Sequence, residues 1–183
     1  MPRARKKLSN NLNVELTGRR KAFVRGNTTV LFRPDHIVAH LKRKILAARY
    51  VVGCVAWISN PCLLEALKRC RGVSLVVNYD RKLIRKHREE YHRLTPMEGA
   101  KSAVHWVRGG GRSLMHHKFV VYLDADLKPT GGVTLGSFNW TKQSMKNAED
   151  LVCIEDAGVA ARFMQEYFDV VAVAKPLAKP RKR

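Results

Sequence analysis

The stretch Leu114-Met115-His116-His117-Lys118-Phe119-Val120-Val121-Tyr122-Leu123 reads as a buried strand that carries a histidine and a lysine two residues apart. A second stretch, Val133-Thr134-Leu135-Gly136-Ser137-Phe138-Asn139-Trp140, reads as a strand entering a loop, with a serine and an asparagine two apart. Side chains two apart on a strand share a face. If the strands are neighbours, His116, Lys118, Ser137 and Asn139 gather on one face. Such a set can attack, hold and polarise a phosphate. It contains no carboxylate cluster of the kind that binds a metal, and no cofactor is expected. His117 points to the opposite face of a regular strand.

Strands and helices alternate around this pair. Thr28 to Phe32 reads as a strand. Asp35 is placed to cap a helix with Ile37, Val38, Leu41, Ile45 and Leu46 at helical spacing. Tyr50 to Ile58 is a buried strand. Asn60 and Pro61 open a helix through Cys70, and Gly72 ends it. Val73 to Tyr79 is a strand, 81–94 a charged helix, and Ala103 to Val107 a strand before the Gly109-Gly110-Gly111 loop. Leu151 to Ile154 and a helix from Gly158 to Val171 complete the order. The expected fold class is α/β, a sandwich around a mixed, largely buried sheet.

The chain has 183 residues, enough for one domain with a full core. Thirty-five Lys and Arg against fifteen Asp and Glu give a formal charge of +20. Such a surface attracts polyanions, nucleic acid above all and anionic membranes second. Residues 1–25 read as a basic arm, 26–174 as the folded domain, and 175–183 as a basic tail ending Lys-Pro-Arg-Lys-Arg. No apolar segment follows the basic N-terminus, and no apolar run reaches membrane-span length. The expectation is a soluble intracellular protein, cytoplasmic or, in a eukaryote, nuclear, and not secreted. Cys54 and Cys153 lie in apolar runs, and Cys62 and Cys70 fall eight apart on one helix. None has the spacing of a zinc knuckle, which suits a reducing compartment.

His-x-Lys alone is a weak signal. Joined to Gly136-Ser137-Phe138-Asn139 and to Asn147-Ala148-Glu149-Asp150, it resembles the phospholipase D superfamily, in particular its small single-motif nucleases. The resemblance implies a phospholipase D-like α/β/α sandwich and metal-independent cleavage through a phosphohistidine on His116. It further implies phosphate binding by Lys118, Ser137 and Asn139, and support of the histidine by Glu149. Five residues separate Lys118 from Asp124 where the family pattern has four, so the acidic position falls to Asp124 or Asp126. Two motif copies are needed and this chain has one, which implies a homodimer with a shared site.

Beyond the motif, Arg108 and Arg112 flank the triple glycine and are candidates for a phosphate groove, extended by Lys142 and Lys146. Trp140 is a candidate for stacking on a base, or core packing. Trp57 and Trp106 read as core or interface. The expected function is a phosphodiesterase, an endonuclease acting on DNA or RNA. The alternatives are a hydrolase of an anionic phospholipid such as cardiolipin, or a catalytically silent nucleic-acid-binding protein.

Overall fold

A computed structural model describes residues 23–108 and 114–178 of the chain. Most of the basic arm, the tail from Lys179 and the glycine loop with Arg112 lie outside the described residues.

The chain runs β1 (Phe23–Arg25), β2 (Thr28–Leu31), α1 (Pro34–Ala47), β3 (Tyr50–Val55), α2 (Pro61–Leu67), β4 (Gly72–Asn78), α3 (Arg81–His92) and β5 (Val104–Val107). It continues with β6 (Lys118–Leu123), β7 (Val133–Gly136), a short 3-10 turn (Gln143–Lys146), β8 (Leu151–Ile154), α4 (Ala157–Ala172) and β9 (Lys175–Pro176). The nine strands form one mixed sheet in the order β1-β2-β8-β7-β6-β3-β4-β5-β9. Only β3, β4 and β5 run parallel to their neighbours within that central triplet. Their connections pass through α2 and α3, as parallel strands require.

Every residue of β3 and β4 is buried. Such near-continuous apolar strands belong at the middle of a sheet covered on both faces. On one face Ile37, Leu41 and Ile45 of α1, Leu63 and Leu67 of α2, and Ile84 and Tyr91 of α3 close over Val51, Val55, Leu75 and Val77. On the other face Ala160 and Tyr167 of α4 close over Val52, Cys54, Val76, Phe119 and Val121. The alternation of side chains along each strand sends neighbours to different layers. The α/β/α sandwich expected from the sequence is the fold.

Local signals set most of the helix starts. Asn60 accepts hydrogen bonds from the backbone N–H groups of Cys62 (3.0 Å) and Leu63 (3.4 Å), with Pro61 at the first helical position. Asp80 caps α3 by accepting from Leu83 N–H at 2.9 Å, and Asp156 caps α4 by accepting from Val159 N–H at 2.8 Å. Helix α1 departs from expectation. Its cap position is Arg33, which makes no side-chain cap bond, and Asp35 sits inside the first turn. There its negative charge still complements the helix dipole.

Several boundaries move, among them the end of β3, which stops at Val55 rather than Ile58. The strand expected from Leu114 begins its regular pairing only at Lys118. Helix α2 stops at Leu67, yet Cys70 remains buried, with its thiol 3.6 Å from the Ile45 carbonyl. At the ends, β1 pairs with β2 from Phe23, inside the expected arm. Lys175–Pro176, inside the expected tail, adds β9 antiparallel to β5, and Leu177 is buried beside it. A proline suits an edge strand, where no ladder N–H is needed on the outer side. All four cysteines are free, and burial pushes the Cys54 thiol up to about 12. Among the described residues no helix is long and apolar enough to cross a membrane.

Candidate active site

The two motif stretches meet where β6 begins and β7 ends. Strand β6 pairs with β3 on one side and β7 on the other, with Val55 opposite Lys118 and Leu135 opposite Phe119. Lys118 is the first paired residue of its strand, so His116 and His117 precede the ladder. One further backbone bond, from Ala56 N–H to the His117 carbonyl at 2.9 Å, carries the pairing outward. His116 is therefore exposed at the end of the sheet, beside a backbone held on the β3 side.

Lys118 folds back onto His116. Its ammonium lies 3.1 Å from Nδ1 and 3.2 Å from Nε2, and it donates to the His116 carbonyl at 2.8 Å. Only an unprotonated ring nitrogen can accept from it. Partial burial lowers the Lys118 pKa, and the nearby Glu149 carboxylate opposes that shift. The ammonium is thus a cation kept short of hydration, and an anion arriving beside it replaces what it lacks.

The serine side is built differently. Gly136 ends β7 against Asp150: a Cβ there would stand 2.4 Å from the Asp150 carbonyl oxygen. Only glycine lets the two chains approach this closely. The approach lets Ser137 Oγ accept from Asp150 N–H at 3.0 Å while its hydroxyl donates to Glu149 Oε2. The other Glu149 oxygen accepts from Asn147 Nδ2 at 3.0 Å. A Gly136→Ala substitution is expected to destabilise the fold by about 1–3 kcal/mol, since backbone rather than a movable side chain must yield. Denaturant midpoints of the two proteins measure it.

Asn139 is half-buried, and its Oδ1 is buried without a hydrogen-bond partner among the described residues. That leaves an acceptor free for a donor on a bound group. On the opposite layer His117 Nε2 lies 2.9 Å from Glu166 Oε1 and its ring meets Phe119 edge-on. It is separated from His116, as strand alternation expects.

Several expectations are corrected. Glu149 holds Ser137 and Asn147 rather than the imidazole. Trp140 is 2% exposed and packs in the core, bridging to Ile58 while its carbonyl accepts from the N–H groups of Ser59 (2.7 Å) and Asn60 (2.8 Å). It offers no face to a ligand. Asp124 lies at the far end of β6, roughly 20 Å from Lys118 at the strand rise. There it accepts from the N–H groups of Asp126 and Lys128, both at 2.9 Å, and from Thr130 Oγ1 at 3.2 Å, which holds its carboxyl below the usual range. Asp126 belongs to the same turn, within ion-pair reach of Lys128 at 3.8 Å. Replacing Asp124 with alanine is expected to lower the thermal unfolding midpoint and leave turnover unchanged. Loss of turnover without loss of stability would restore it to the site.

Arg108 is exposed, with its guanidinium 5.2 Å from the Tyr79 ring centre. Lys142 is exposed on a cleft of about 310 Å³ that Trp57 also lines, and Lys146 is exposed at the end of the 3-10 turn. The residue that sequence reading missed is Trp57. Its indole meets His116 edge-on at 5.4 Å, and Lys118 Nζ sits 5.9 Å from the ring centre. Its signal is its place two residues beyond Val55, which becomes informative only once β3 is known to pair with β6. Among the described residues no group of three or more His, Cys, Asp or Glu side chains is disposed to hold a metal ion.

An exposed imidazole, an adjacent ammonium, a carboxylate-held serine and an under-satisfied asparagine stand at one end of a buried mixed sheet, a set of groups that can bind a phosphate. The family model described as "Cardiolipin synthase, PLD-like domain" matches residues 41–171, and the chain belongs to this family of the phospholipase D superfamily. Members of the superfamily act on phosphodiester bonds. The fold is similar to NucT from Helicobacter pylori, with a TM-score of 0.63 at 16% identity over 81% of this chain and 98% of that one. It is similar also to Nuc from Salmonella typhimurium, a phospholipase D family member, with a TM-score of 0.60 at 19% identity over 81% and 95%. A relative from Acanthamoeba polyphaga mimivirus, the uncharacterized protein L381, is 24% identical over 176 residues, 74% of this chain and 62% of that protein. The chain thus spans less than two thirds of that relative's length.

Proposed function

We propose that the protein is a metal-independent phosphodiesterase that cleaves nucleic acid, with His116 as nucleophile and the active site shared between two copies of the chain. The observation that carries this reading is the Lys118 ammonium 3.1–3.2 Å from both ring nitrogens of an exposed His116. A phosphate seated on the ammonium is within reach of the imidazole. The imidazole nitrogen forms a bond to phosphorus as the bond from phosphorus to the leaving oxygen breaks. The partner's His116 donates its proton to that oxygen. Water then attacks the phosphohistidine, the partner's His116 takes its proton, and the phosphorus–nitrogen bond breaks. Lys118 neutralises the non-bridging oxygens throughout, and Ser137 and Asn139 add neutral hydrogen bonds.

The dimer follows from the inventory of the site. One chain supplies one motif histidine, while the two half-reactions use a nucleophile and an acid at once. Leu114, two residues before His116, is 58% exposed and would be covered by a second copy across the site. The +20 charge favours a polyanionic substrate.

The test is cleavage of labelled DNA and RNA in excess EDTA, alongside sedimentation at micromolar concentration. Activity is expected to survive EDTA, and the active species to sediment as a dimer. Activity abolished by EDTA and restored by a divalent ion would overturn the mechanism. An active monomer would overturn the shared site. The family's description favours one other reading, hydrolysis of an anionic phospholipid. Cleavage of cardiolipin vesicles with no cleavage of nucleic acid would establish that reading instead.

A further inference from the structure

The strand register places the candidate site in a line with other residues. Lys118 is opposite Val55, which puts His116 level with Trp57. Cys54 is opposite Val76, and Asn78 N–H donates to the Ala56 carbonyl at 3.0 Å, which puts Trp57 level with Tyr79. Asn78 is opposite Val107, which puts Tyr79 level with Arg108. Four adjacent strands therefore end in a row: imidazole, indole, phenol, guanidinium. The contacts agree, with Trp57 to His116 at 5.4 Å and Arg108 over Tyr79 at 5.2 Å. At the usual strand spacing Tyr79 stands about 10 Å from His116, one to two nucleotides along an extended backbone.

Tyr79 opens onto a cleft of about 470 Å³ on the far side of α3 from the Trp57 cleft. Tyr79 and Trp106 meet there at 4.7 Å, tilted by 48°, and both are anchored by packing on the core beneath. Arg81, Arg85 and Arg88, at helical spacing, turn one face of α3 toward the same cleft, and Lys175 closes it with Nζ 5.6 Å from the Trp106 ring centre. No acidic side chain is among its described lining residues. A solvated basic helix accounts for charge alone. It does not account for two half-buried aromatic rings between four cations, in line with the candidate nucleophile.

We infer that this cleft is a stacking subsite for a base of single-stranded nucleic acid, one to two nucleotides from the phosphate held at His116 and Lys118. The inference rests on the function proposed above and names its substrate class. Rings stack on any base whose face is free, and arginines on the same wall track the phosphates. A paired base keeps both faces inside the duplex, so the subsite selects single strands. Arg108 and Lys175 are exposed, flexible cations that yield the ring faces to an incoming base.

Fluorescence anisotropy on the His116→Ala protein tests this without turnover. The probes are a labelled twelve-nucleotide single strand, the same strand with abasic sites throughout, and the matching duplex. Tyr79→Leu is expected to weaken the intact single strand about tenfold while leaving the abasic strand and the duplex within about twofold of the parent. Arg85→Ala with Arg88→Ala, both exposed and safe for folding, is expected to reduce the salt slope of binding by about 1.4 for two lost phosphate contacts. Equal losses for intact and abasic strands, or an unchanged salt slope in the arginine variant, would overturn the subsite alone. Failure of the His116→Ala protein to bind any of the probes would overturn the proposed function with it.

Discussion

Replacing His116 with alanine is expected to reduce phosphodiester cleavage by about 10⁴-fold or more while leaving the fold intact. The size follows from the shared site. One substitution removes the nucleophile of one half-reaction and the acid of the other, and groups that act as a unit are lost together. The fold should survive because the imidazole is exposed and precedes the ladder of β6. Two measurements check it. Steady-state cleavage gives the loss, and a rapid acid-free quench with a phosphorus-labelled substrate looks for the covalent adduct. The parent protein should retain label that is stable to base and labile to acid, as a phosphohistidine is, and the variant should retain none. Label retained by the His116→Ala protein would assign the nucleophile elsewhere.

Lys118→Ala is expected to cost about 10²–10³ in turnover, the scale for one preorganised group at developing charge. The argument is local. The ammonium is half-buried, burial lowers its pKa, and the nearby carboxylate that opposes the shift, Glu149, is already engaged by Ser137 and Asn147. Its charge is therefore available to a substrate phosphate rather than spent within the protein. Lys118→Arg should recover little. A planar fork is larger than the ammonium and cannot occupy the same point beside both ring nitrogens. Comparison of kcat with KM separates the roles, because a cation that acts on developing charge lowers kcat more than it raises KM. A loss confined to KM would make Lys118 a binding residue only.

Much of this site is written locally. His116 and Lys118 are two apart, as are Ser137 and Asn139, and a period of two fixes which residues share a side. Gly136 is explained only by the β7–β8 pairing that brings Asp150 against it. Other roles depend on partners remote in sequence. Trp57 and His116 are far apart along the chain and meet only because β3 pairs with β6. Trp140 follows the motif directly and invites a ligand-facing reading, yet its bridge to Ile58 draws it into the core. Asp124 fits a motif position by count, but six residues of extended strand carry it to the other end of the sheet, where it ties a turn.

The sequence by itself determined the α/β class, the apolar central strands, the helix start at Asn60 and Pro61, and the spacing of His116, Lys118, Ser137 and Asn139. Each depends on periodicity or on hydrogen bonds within a few residues, and these act before any tertiary contact forms. Only the tertiary structure decided the strand order, the edge strand at Lys175–Pro176, and the row from His116 through Trp57 and Tyr79 to Arg108. Strand pairing joins residues tens of positions apart, and its register comes from how whole faces bury against α1, α2, α3 and α4. No local pattern encodes that choice, so neither the aromatic neighbour of the histidine nor the basic cleft beyond it could be read along the chain.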